Sequence, residues 1–253
     1  MEIDRLKKLL NRFGSNVIFN QNLKKKNWFN IGGKAKVFFK ANNLKDLVDF
    51  LKTINNQEKI SIIGAGSNIL ITDDLFDGAI IKLGQNFNNI SLMKEDIIIS
   101  GTAVLDKKLS DFAAEKNLSG FEFLSCIPGS IGGGIKMNAG CFEKEFKDIL
   151  ISVQAIDLSG KAFTIPAKEI NFEYRNNDLP ENLIFLSASF KGTKDTFKNI
   201  TDKMNKLKFE KEKNQPTKIK TSGSTFKNPI KQSNKKVWEL IRESVPLDTK
   251  FGD

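Results

Sequence analysis

Two glycine-rich segments constrain the fold of this chain more than any other feature of its sequence. The first is Ile63-Gly64-Ala65-Gly66-Ser67-Asn68, and the second is Ile127-Pro128-Gly129-Ser130-Ile131-Gly132-Gly133-Gly134. Glycine has no Cβ and tolerates positive φ, so both segments allow the backbone to approach a ligand closely. Two such segments in one chain indicate a large, phosphate-bearing cofactor.

The first segment matches neither of the common nucleotide-binding motifs. Gly64-x-Gly66 is followed by Ile69 where a Rossmann fingerprint requires glycine or alanine. No Gly-Lys-Ser or Gly-Lys-Thr follows, which excludes a Walker loop. Residues 70–74 also lack a helical period that would align a helix dipole on a pyrophosphate. Two interpretations remain: a tight turn after a strand, or a nest of backbone N–H groups around a diphosphate.

The second segment is harder to explain as a purely structural turn. Five glycines and one proline lie between Pro128 and Gly140, and each glycine loses conformational entropy when the chain folds. Met137-Asn138-Ala139-Gly140 completes this stretch and sets a side-chain amide between small residues. This composition favours a ligand-binding loop.

Composition and charge exclude several classes of function. The net charge is +10, but only four of the 40 basic residues are arginine, the residue preferred for bidentate phosphate and base contacts. We therefore expect no nucleic-acid partner, although the positive charge suits an anionic small substrate. The sequence has no histidine, and Cys126 and Cys141 have neither metal-ligand nor disulfide-framework spacing. No metal site is expected.

The N-terminus and the apolar runs predict a cytoplasmic protein with no membrane insertion. Residues 1–13 alternate charge with leucine and lack the continuous apolar core of a signal peptide. No apolar run approaches the roughly 20 residues that a membrane-spanning helix needs.

Hydrophobic periodicity and turn residues predict the order of the main elements. Helices are predicted over residues 6–13, 44–54, 105–116, 195–212 and 235–244, with Asn42 or Asn43 capping the second. Strands are predicted over residues 37–40, 60–63, 79–83, 97–100, 149–158, 162–165 and 183–190. The strand at 60–63 is expected to be buried in a small βαβ unit, and Ser159-Gly160 predicts a hairpin.

Two short polar motifs carry candidate chemistry. Arg175 follows Tyr174, the only tyrosine, and would either clamp a carboxylate through two planar hydrogen bonds or lie solvated in a loop. Gly223-Ser224-Thr225-Phe226-Lys227-Asn228-Pro229 is either a polar turn or a site whose serine donates a proton to a carbanion, with the lysine nearby. Because the chain has no histidine, Ser224 cannot belong to a hydrolase triad of the Ser-His-Asp kind.

Taken in order, six motifs give the sequence a specific resemblance to one enzyme family. They are Asn30-Ile31-Gly32-Gly33, Gly64-Ala65-Gly66-Ser67-Asn68, Ile127-Pro128-Gly129-Ser130-Ile131-Gly132-Gly133, Met137-Asn138-Ala139-Gly140, Tyr174-Arg175 and Gly223-Ser224-Thr225-Phe226-Lys227-Asn228-Pro229. From about residue 20 onward, this set resembles the UDP-N-acetylenolpyruvoylglucosamine reductase (MurB) family of peptidoglycan precursor synthesis. The short stretch from Phe190 to Gln215-Pro216 resembles the subclass that lacks an extra tyrosine-bearing loop.

The resemblance implies an α+β fold with two parts. A FAD-binding domain of the vanillyl-alcohol-oxidase (PCMH) type would span residues 27–192, with subdomains at about 27–85 and 86–192, after an N-terminal helix and lead-in at 1–26. Residues 193–253 would begin an α+β substrate-binding domain. The family continues beyond Asp253 with a histidine-containing stretch and a catalytic glutamate. The resemblance therefore implies a C-terminally incomplete chain that binds FAD but turns over substrate slowly or not at all.

The resemblance also implies a set of site residues. Arg175 and Ser224 would be catalytic, and Tyr174, Lys227 and Asn228 would contact the substrate. Non-covalent FAD would lie against Gly64, Ala65, Gly66, Ser67, Asn68, Ile127, Pro128, Gly129, Ser130, Gly132, Gly133, Asn138 and Gly140.

The activity implied is the NADPH-dependent reduction of UDP-N-acetyl-enolpyruvoylglucosamine to UDP-N-acetylmuramate by a monomer. NADPH would be a co-substrate and FAD would carry the hydride, while Arg175 stabilises negative charge and Ser224 supplies the proton. One alternative is another FAD-dependent enzyme of the same cofactor fold, such as a sugar or alcohol oxidase. A nucleotide-binding or nucleic-acid-binding module, favoured only by the net charge, is a distant third.

Overall fold

The computed structural model describes residues 3–54, 58–214, 226–230, 232–246 and 248–249. The chain divides into two compact units, Met1–Thr221 and Ser222–Asp253. The helices are α1 (Ile3–Leu10), α2 (Leu44–Ile54), α3 (Asp106–Glu115), α4 (Ile131–Lys136), α5 (Phe197–Asn214) and α6 (Val237–Ser244). The strands are β1 (Val17–Asn22), β2 (Lys34–Ala41), β3 (Lys59–Ile62), β4 (Phe76–Leu83), β5 (Ile90–Lys94), β6 (Ile97–Gly101), β7 (Leu118–Ser119), β8 (Gly140–Cys141), β9 (Lys144–Glu145), β10 (Leu150–Ile156), β11 (Ala162–Pro166), β12 (Phe172–Glu173), β13 (Asn176–Asn177), β14 (Ile184–Lys191) and β15 (Thr193–Lys194).

The first sheet of the larger unit has four strands in the order β1-β2-β4-β3. β1 pairs antiparallel with β2, whereas β2, β4 and β3 run parallel. The helix α2 connects β2 to β3, which confirms the predicted βαβ unit, and β4 lies between the two strands. Asn43 caps α2, because its Oδ1 accepts the backbone N–H of Asp46 at 2.8 Å.

The predicted burial of the strand at residues 60–63 is wrong. β3 lies at the edge of the sheet, and the side chain of Ile62 is 38% exposed. An apolar run does not by itself distinguish a core strand from an edge strand, so the sequence could not show that β3 lies at the edge. The buried residue is Ile63, directly after β3, whose N–H donates to the Ile81 carbonyl at 3.0 Å.

The second sheet has five strands, all paired antiparallel, in the order β11-β10-β14-β6-β5. β10 and β11 form the predicted hairpin, and Gly160 in its turn has a φ of +87°. Sequence reasoning missed β1 in the first sheet and β5 in this one. Four of the five residues of β5 are exposed, so its side chains show no alternation that a pattern could detect.

One strand contributes to both large hydrophobic cores of the larger unit. β14 places Phe185 and Phe190 in the core of the second sheet, and Ile184 and Leu186 in the core that packs under the first sheet. The register of β14 against β10 shifts within this stretch. Successive side chains of a strand point to opposite faces of the sheet, which allows one strand to serve two cores.

The second glycine-rich segment was predicted as a loop, but part of it is the helix α4. Glycine in a helix interior costs about 1 kcal/mol relative to alanine, so helix propensity gave no signal here. Ile131 and Ile135 are fully buried in the core of the second sheet and hold one side of α4 in place. Tertiary packing has therefore overridden local propensity.

The helix α5 is part of the larger unit and packs against α3. Ile200 and Met204 are buried against Ala114 of α3, and Lys211 Nζ donates to the Cys126 carbonyl at 2.6 Å. The domain boundary near residue 193 remains a prediction, while the compact units divide after residue 221.

In its described residues, the smaller unit is built around α6. Asn228 Oδ1 accepts the N–H of Val237 at 3.0 Å, and the N–H of Lys236 donates to Glu239 at 2.6 Å. Of the helices in the described ranges of the whole chain, none is both long and apolar enough to cross a membrane. The same ranges contain no cluster of three or more histidine, cysteine, aspartate or glutamate side chains suited to a metal ion.

Candidate active site

The two glycine-rich segments meet at one contact. Gly64 lies so close to Ser130 that a Cβ on Gly64 would overlap the Ser130 hydroxyl. Ser130 is only 4% exposed and occupies the N-cap position of α4, but its hydroxyl does not cap the helix. The fold therefore brings together the two segments that the sequence predicts as cofactor loops.

The first segment has an irregular backbone that packs against residues 26–28. Gly66 has a φ of +73°, and its missing Cβ leaves room for the Lys26 carbonyl. Trp28 donates its N–H to the Gly66 carbonyl at 3.0 Å. Behind them, the Asn27 amide donates to two backbone carbonyls at 3.0 and 2.7 Å. Its buried Oδ1 has no hydrogen-bond partner among the described residues.

Packing explains one glycine of the second segment but not its neighbour. A Cβ on Gly134 would overlap the ring of Phe146, which is fully buried in the core. Gly133 is exposed, and the protein atom nearest to an added Cβ would be Ser130 Oγ at 3.8 Å. Neither packing nor positive φ requires glycine at position 133, where it costs helix stability. A ligand lying against this face of α4 would account for it.

A buried carboxyl group lies behind the second segment. Asp106, the first residue of α3, donates its N–H to the Gly129 carbonyl at 3.1 Å, and its Oδ2 lies 2.5 Å from where a Gly129 Cβ would stand. Neither its carboxyl oxygens nor the Ser110 hydroxyl, one turn later, has a hydrogen-bond partner in the described part of the chain. Burial raises the pKa of Asp106 well above its usual value. Sequence reasoning missed it, because an acid in the first turn of a helix is common.

Three lysines, Lys26, Lys40 and Lys82, place positive charge near residues 26–28, which contact the first segment. Lys40 and Lys82 are neighbours across β2 and β4. The Nζ of Lys26, whose carbonyl faces Gly66, lies 5.2 Å from the centroid of the Phe38 ring. Burial, and then the charges of Lys26 and Lys40, lower the pKa of Lys82. A cluster of like charges is relieved when an anion binds near it, so this region suits the phosphates of a nucleotide cofactor.

Arg175 is anchored at the other end of α4. Its guanidinium donates to the carbonyl of Gly140 at 2.6 Å, to that of Asn138 at 3.4 Å and to the carboxylate of Glu145 at 3.3 Å. The Tyr174 ring centroid lies 4.9 Å from the guanidinium carbon. The six residues of α4 span about 9 Å. The Gly64–Ser130 contact and the Arg175 anchor therefore lie at opposite ends of one short helix.

Glu145 organises this second end of the site, and sequence reasoning missed it. One carboxylate oxygen accepts from Arg175, and the other accepts from Asn138 Nδ2 at 2.9 Å and from Lys147 Nζ at 3.0 Å. The Arg175 side chain is still 28% exposed, so the cation is held on one side and open on the other. Glu145 stands in an ordinary charged stretch, and no sequence pattern could have distinguished it.

Most of the predicted cofactor residues lie in the first segment, in the loop before α4, in α4 itself or just after it. The amide of Asn138 is used by protein groups, since its Nδ2 donates to Glu145 and to the Glu173 carbonyl, and its Oδ1 accepts from Lys147. Ser224 lies outside the described residues, and Lys227 and Asn228 belong to the smaller unit. The exposed backbone at Gly64 and Gly133 and the lysine cluster fit a phosphate-bearing nucleotide cofactor.

Known proteins resemble this chain in sequence. A family described as an FAD binding domain matches residues 35–165, which include both glycine-rich segments. The UDP-N-acetylenolpyruvoylglucosamine reductase of Pelagibacter ubique (strain HTCC1062) is 61% identical over 253 residues, which cover all of this chain and 84% of that protein. The protein of the same name from Rickettsia conorii (strain Malish 7) is 47% identical over 222 residues, 87% of this chain and 73% of the relative.

Solved structures resemble it in fold. The UDP-N-acetylenolpyruvylglucosamine reductase of Thermus caldophilus has a TM-score of 0.77 at 28% identity, over 90% of this chain and 79% of that one. Phl p 4.0202, a glucose dehydrogenase, shares the fold alone, with a TM-score of 0.57 at 11% identity over 76% of this chain and 44% of that one. The expected α+β FAD-binding fold is confirmed. On the sequence identity and coverage of these relatives, the chain belongs to the UDP-N-acetylenolpyruvoylglucosamine reductase family.

Proposed function

We propose that this protein is an FAD-containing, NADPH-dependent reductase that converts UDP-N-acetyl-enolpyruvoylglucosamine to UDP-N-acetylmuramate in peptidoglycan precursor synthesis. The observation that carries the proposal is the contact between Gly64 and Ser130. It joins the two glycine-rich segments into one path that ends, across α4, at Arg175. The relatives at 61% and 47% identity carry the name of this reductase.

The glycine-rich segments would hold FAD without a covalent bond. The backbone of residues 64–68, with Lys26 and Lys82 near its support, suits the diphosphate. The exposed face of α4 at Gly133 suits the remainder of the cofactor. Bound there, FAD would supply the chemistry of hydride transfer from NADPH to the enolpyruvyl double bond of the substrate.

Arg175 would stabilise the negative charge that develops toward the substrate carboxylate. A guanidinium can offer a carboxylate two parallel hydrogen bonds. The carbonyls of Asn138 and Gly140 and the carboxylate of Glu145 fix the guanidinium before the substrate arrives. Because the donors are already oriented, little reorganisation is needed when the charge appears.

Ser224 is proposed as the donor of the proton to the carbon next to the one that receives the hydride. This role rests on the match of residues 223–229 to the family motif, since the serine lies outside the described residues. Lys227 and Asn228 of the same motif, and Tyr174 beside Arg175, are proposed to contact the sugar nucleotide.

The visible absorption spectrum is the first test of the proposal. The purified protein should show a flavin spectrum, directly or after addition of FAD. NADPH should bleach this spectrum, and the enolpyruvyl sugar nucleotide should restore it. A colourless protein that cannot be reconstituted with FAD contradicts the proposal.

A Glu145→Gln variant tests the role of Arg175. Loss of this carboxylate loosens the guanidinium, so reoxidation of the flavin by the enolpyruvyl substrate should slow about tenfold, equivalent to roughly 1.4 kcal/mol. Reduction by NADPH should stay within about twofold. The matched control is Lys147→Gln, which removes a half-exposed partner of the same carboxylate and should leave both steps unchanged. Equal slowing of both steps in Glu145→Gln would contradict the role of Arg175.

An oxidase or dehydrogenase of sugars or alcohols is the second candidate, and the fold likeness to Phl p 4.0202 is its support. Rapid reaction of the reduced protein with oxygen, without any reaction with the enolpyruvyl sugar, would favour it.

A further inference from the structure

The two cysteines of the chain lie beside each other at the edge of the candidate site. Cys126 ends the 3-10 helix Glu122–Cys126, and Cys141 ends β8. Cys141 Sγ donates to the Phe123 carbonyl at 3.3 Å. In a 3-10 helix the carbonyl of residue i points toward residue i+3, which here is Cys126. The Cys141 thiol therefore lies against the turn that ends at Cys126, and the side chains of the two free cysteines interact.

The surroundings of the two thiols differ in charge and hydrogen bonding. Ser125 Oγ lies 3.7 Å from Cys126 Sγ, and the ammonium group of Lys211 donates to the Cys126 carbonyl at 2.6 Å. Hydrogen bonding from Cys141, with help from Ser125 and Lys211, lowers the pKa of Cys126 to about 6. The same interaction, together with burial, raises the pKa of Cys141. Cys126 is therefore the more acidic thiol of the two.

We propose that Cys126 and Cys141 form a reversible disulfide when the protein meets hydrogen peroxide. The Cys126 sulfur attacks one peroxide oxygen, the O–O bond breaks, and the departing hydroxide takes a proton to become water. Cys126 is then a sulfenic acid. The Cys141 sulfur attacks the Cys126 sulfur, the S–O bond breaks, and a second water leaves with the Cys141 proton. The thiols lose two electrons, the peroxide gains them, and a dithiol reductant reverses the change.

The low exposure of the two cysteines favours reaction with a small oxidant. Cys126 is 6% exposed and Cys141 is partly exposed, which admits peroxide more readily than a bulky disulfide. Cys126 directly precedes Ile127-Pro128, and Cys141 directly follows Gly140, whose carbonyl accepts from Arg175. A disulfide would draw the Cβ atoms to about 3.8 Å and tie the second glycine-rich segment to the anchor of Arg175. Any effect on turnover rests on the proposed function, whereas formation of the disulfide does not.

Intact-mass measurement on the full 253-residue chain tests the proposal without an activity assay. After treatment with hydrogen peroxide, the mass should fall by two hydrogen atoms, both thiols should become unreactive, and dithiothreitol should restore them. The chain has only two cysteines, so an intramolecular product has one possible pairing. Retention of both thiols, or products that are only intermolecular dimers or oxygen adducts, would overturn the proposal.

Two variants and a pH profile assign the roles within the pair. Cys141→Ser should stop at the sulfenic acid of Cys126, which dimedone traps, whereas Cys126→Ser should leave Cys141 unreacted. The rate of oxidation of the unaltered protein should rise through about pH 6 and level off by about pH 8. A rate that keeps rising above about pH 8, or equal peroxide reactivity of the two variants, would contradict the assignment of Cys126 as the attacking group.

Discussion

The first and second glycine-rich segments face each other across the Gly64–Ser130 contact, yet their glycines serve different purposes. In the first, Gly66 provides a left-handed conformation over the Lys26 carbonyl. In the second, Gly134 allows α4 to pack against the buried ring of Phe146, and Gly133 faces outward without any such constraint. The comparison shows that glycine supplies conformation at position 66 and close packing at position 134. Neither reason applies at position 133, where we propose that glycine gives a ligand access to α4. The following variants test this separation, in decreasing order of their expected effect on the unfolding free energy of the flavin-free protein.

Gly66→Ala should have the largest effect. Alanine in the left-handed region costs about 1–2 kcal/mol, and its Cβ would also overlap the backbone of Lys26. We expect a total loss of about 2–4 kcal/mol, measured by urea unfolding. Gly120→Ala is the control for positive φ without overlap, since Gly120 has a φ of +107° and an added Cβ would make only an ordinary contact with Ile149 at 3.7 Å. Equal losses in the two variants would show that the close approach of Lys26 to Gly66 is unimportant.

Gly64→Ala tests the contact between the segments. Its Cβ would overlap the Ser130 hydroxyl, so we expect a loss of about 1–2 kcal/mol. In the Gly64→Ala/Ser130→Ala double variant, the two Cβ atoms would stand 3.7 Å apart, an ordinary contact. The double variant should therefore regain about 1 kcal/mol in a double-mutant cycle. Strictly additive effects would mean that the segments do not touch.

Asp106→Asn tests the support behind the second segment through the pH dependence of stability. Below the usual pKa of aspartic acid, the carboxyl is protonated in both the folded and the unfolded chain. Above that value the unfolded chain releases the proton, while the folded chain keeps it until the pH exceeds its raised pKa. Stability contributed by this group therefore falls as pH rises through that window, by at most about 1.4 kcal/mol per pH unit.

The Asp106→Asn variant lacks this titration, so its unfolding free energy should increase relative to that of the unaltered protein as pH rises from about 4. Urea unfolding at a series of pH values measures the difference. Asp111→Asn, at a partly exposed position of the same helix, is the control for the substitution itself. A constant difference for Asp106→Asn would exclude a buried protonated carboxyl.

Gly133→Ala should have the smallest effect on the flavin-free protein. Its unfolding free energy should stay within about 1 kcal/mol of the original, with any change in the stabilising direction. Its FAD dissociation constant should rise about tenfold or more, because the new methyl group occupies the ligand-facing side of α4. Titration by flavin fluorescence measures this, with Glu115→Ala, an exposed helical position in α3, as control. Unchanged FAD affinity would remove Gly133 from the cofactor site.

Local signals account for the parts of the fold that the sequence predicted well. α2 lies over the predicted residues, since its apolar spacing and the Asn43 cap are both properties of one short stretch. α4 was missed because burial of Ile131 and Ile135, a long-range effect, outweighs three successive glycines. The exposure of β3 was missed for the same reason, since the place of a strand within its sheet depends on other strands.

The candidate site was predictable only where the chain itself carries a rare pattern. The two glycine-rich segments and the Tyr174-Arg175 pair stood out in the sequence, and the fold links them through α4. Glu145 and Asp106 did not, because isolated acids are common and their importance comes from burial and from partners distant in sequence. The role of Ser224 stays a prediction.

The shared strand β14 has a consequence for how the larger unit melts and how it is made. Ile184 and Phe185 are adjacent in the chain but belong to different cores, so separating β14 from one core also exposes the other. Residues 1–221 should therefore melt in a single calorimetric transition, with amide hydrogens of both sheets exchanging together. During synthesis, the core under the N-terminal sheet remains open until residues 184–186 have left the ribosome, so the first sheet cannot finish folding ahead of the second.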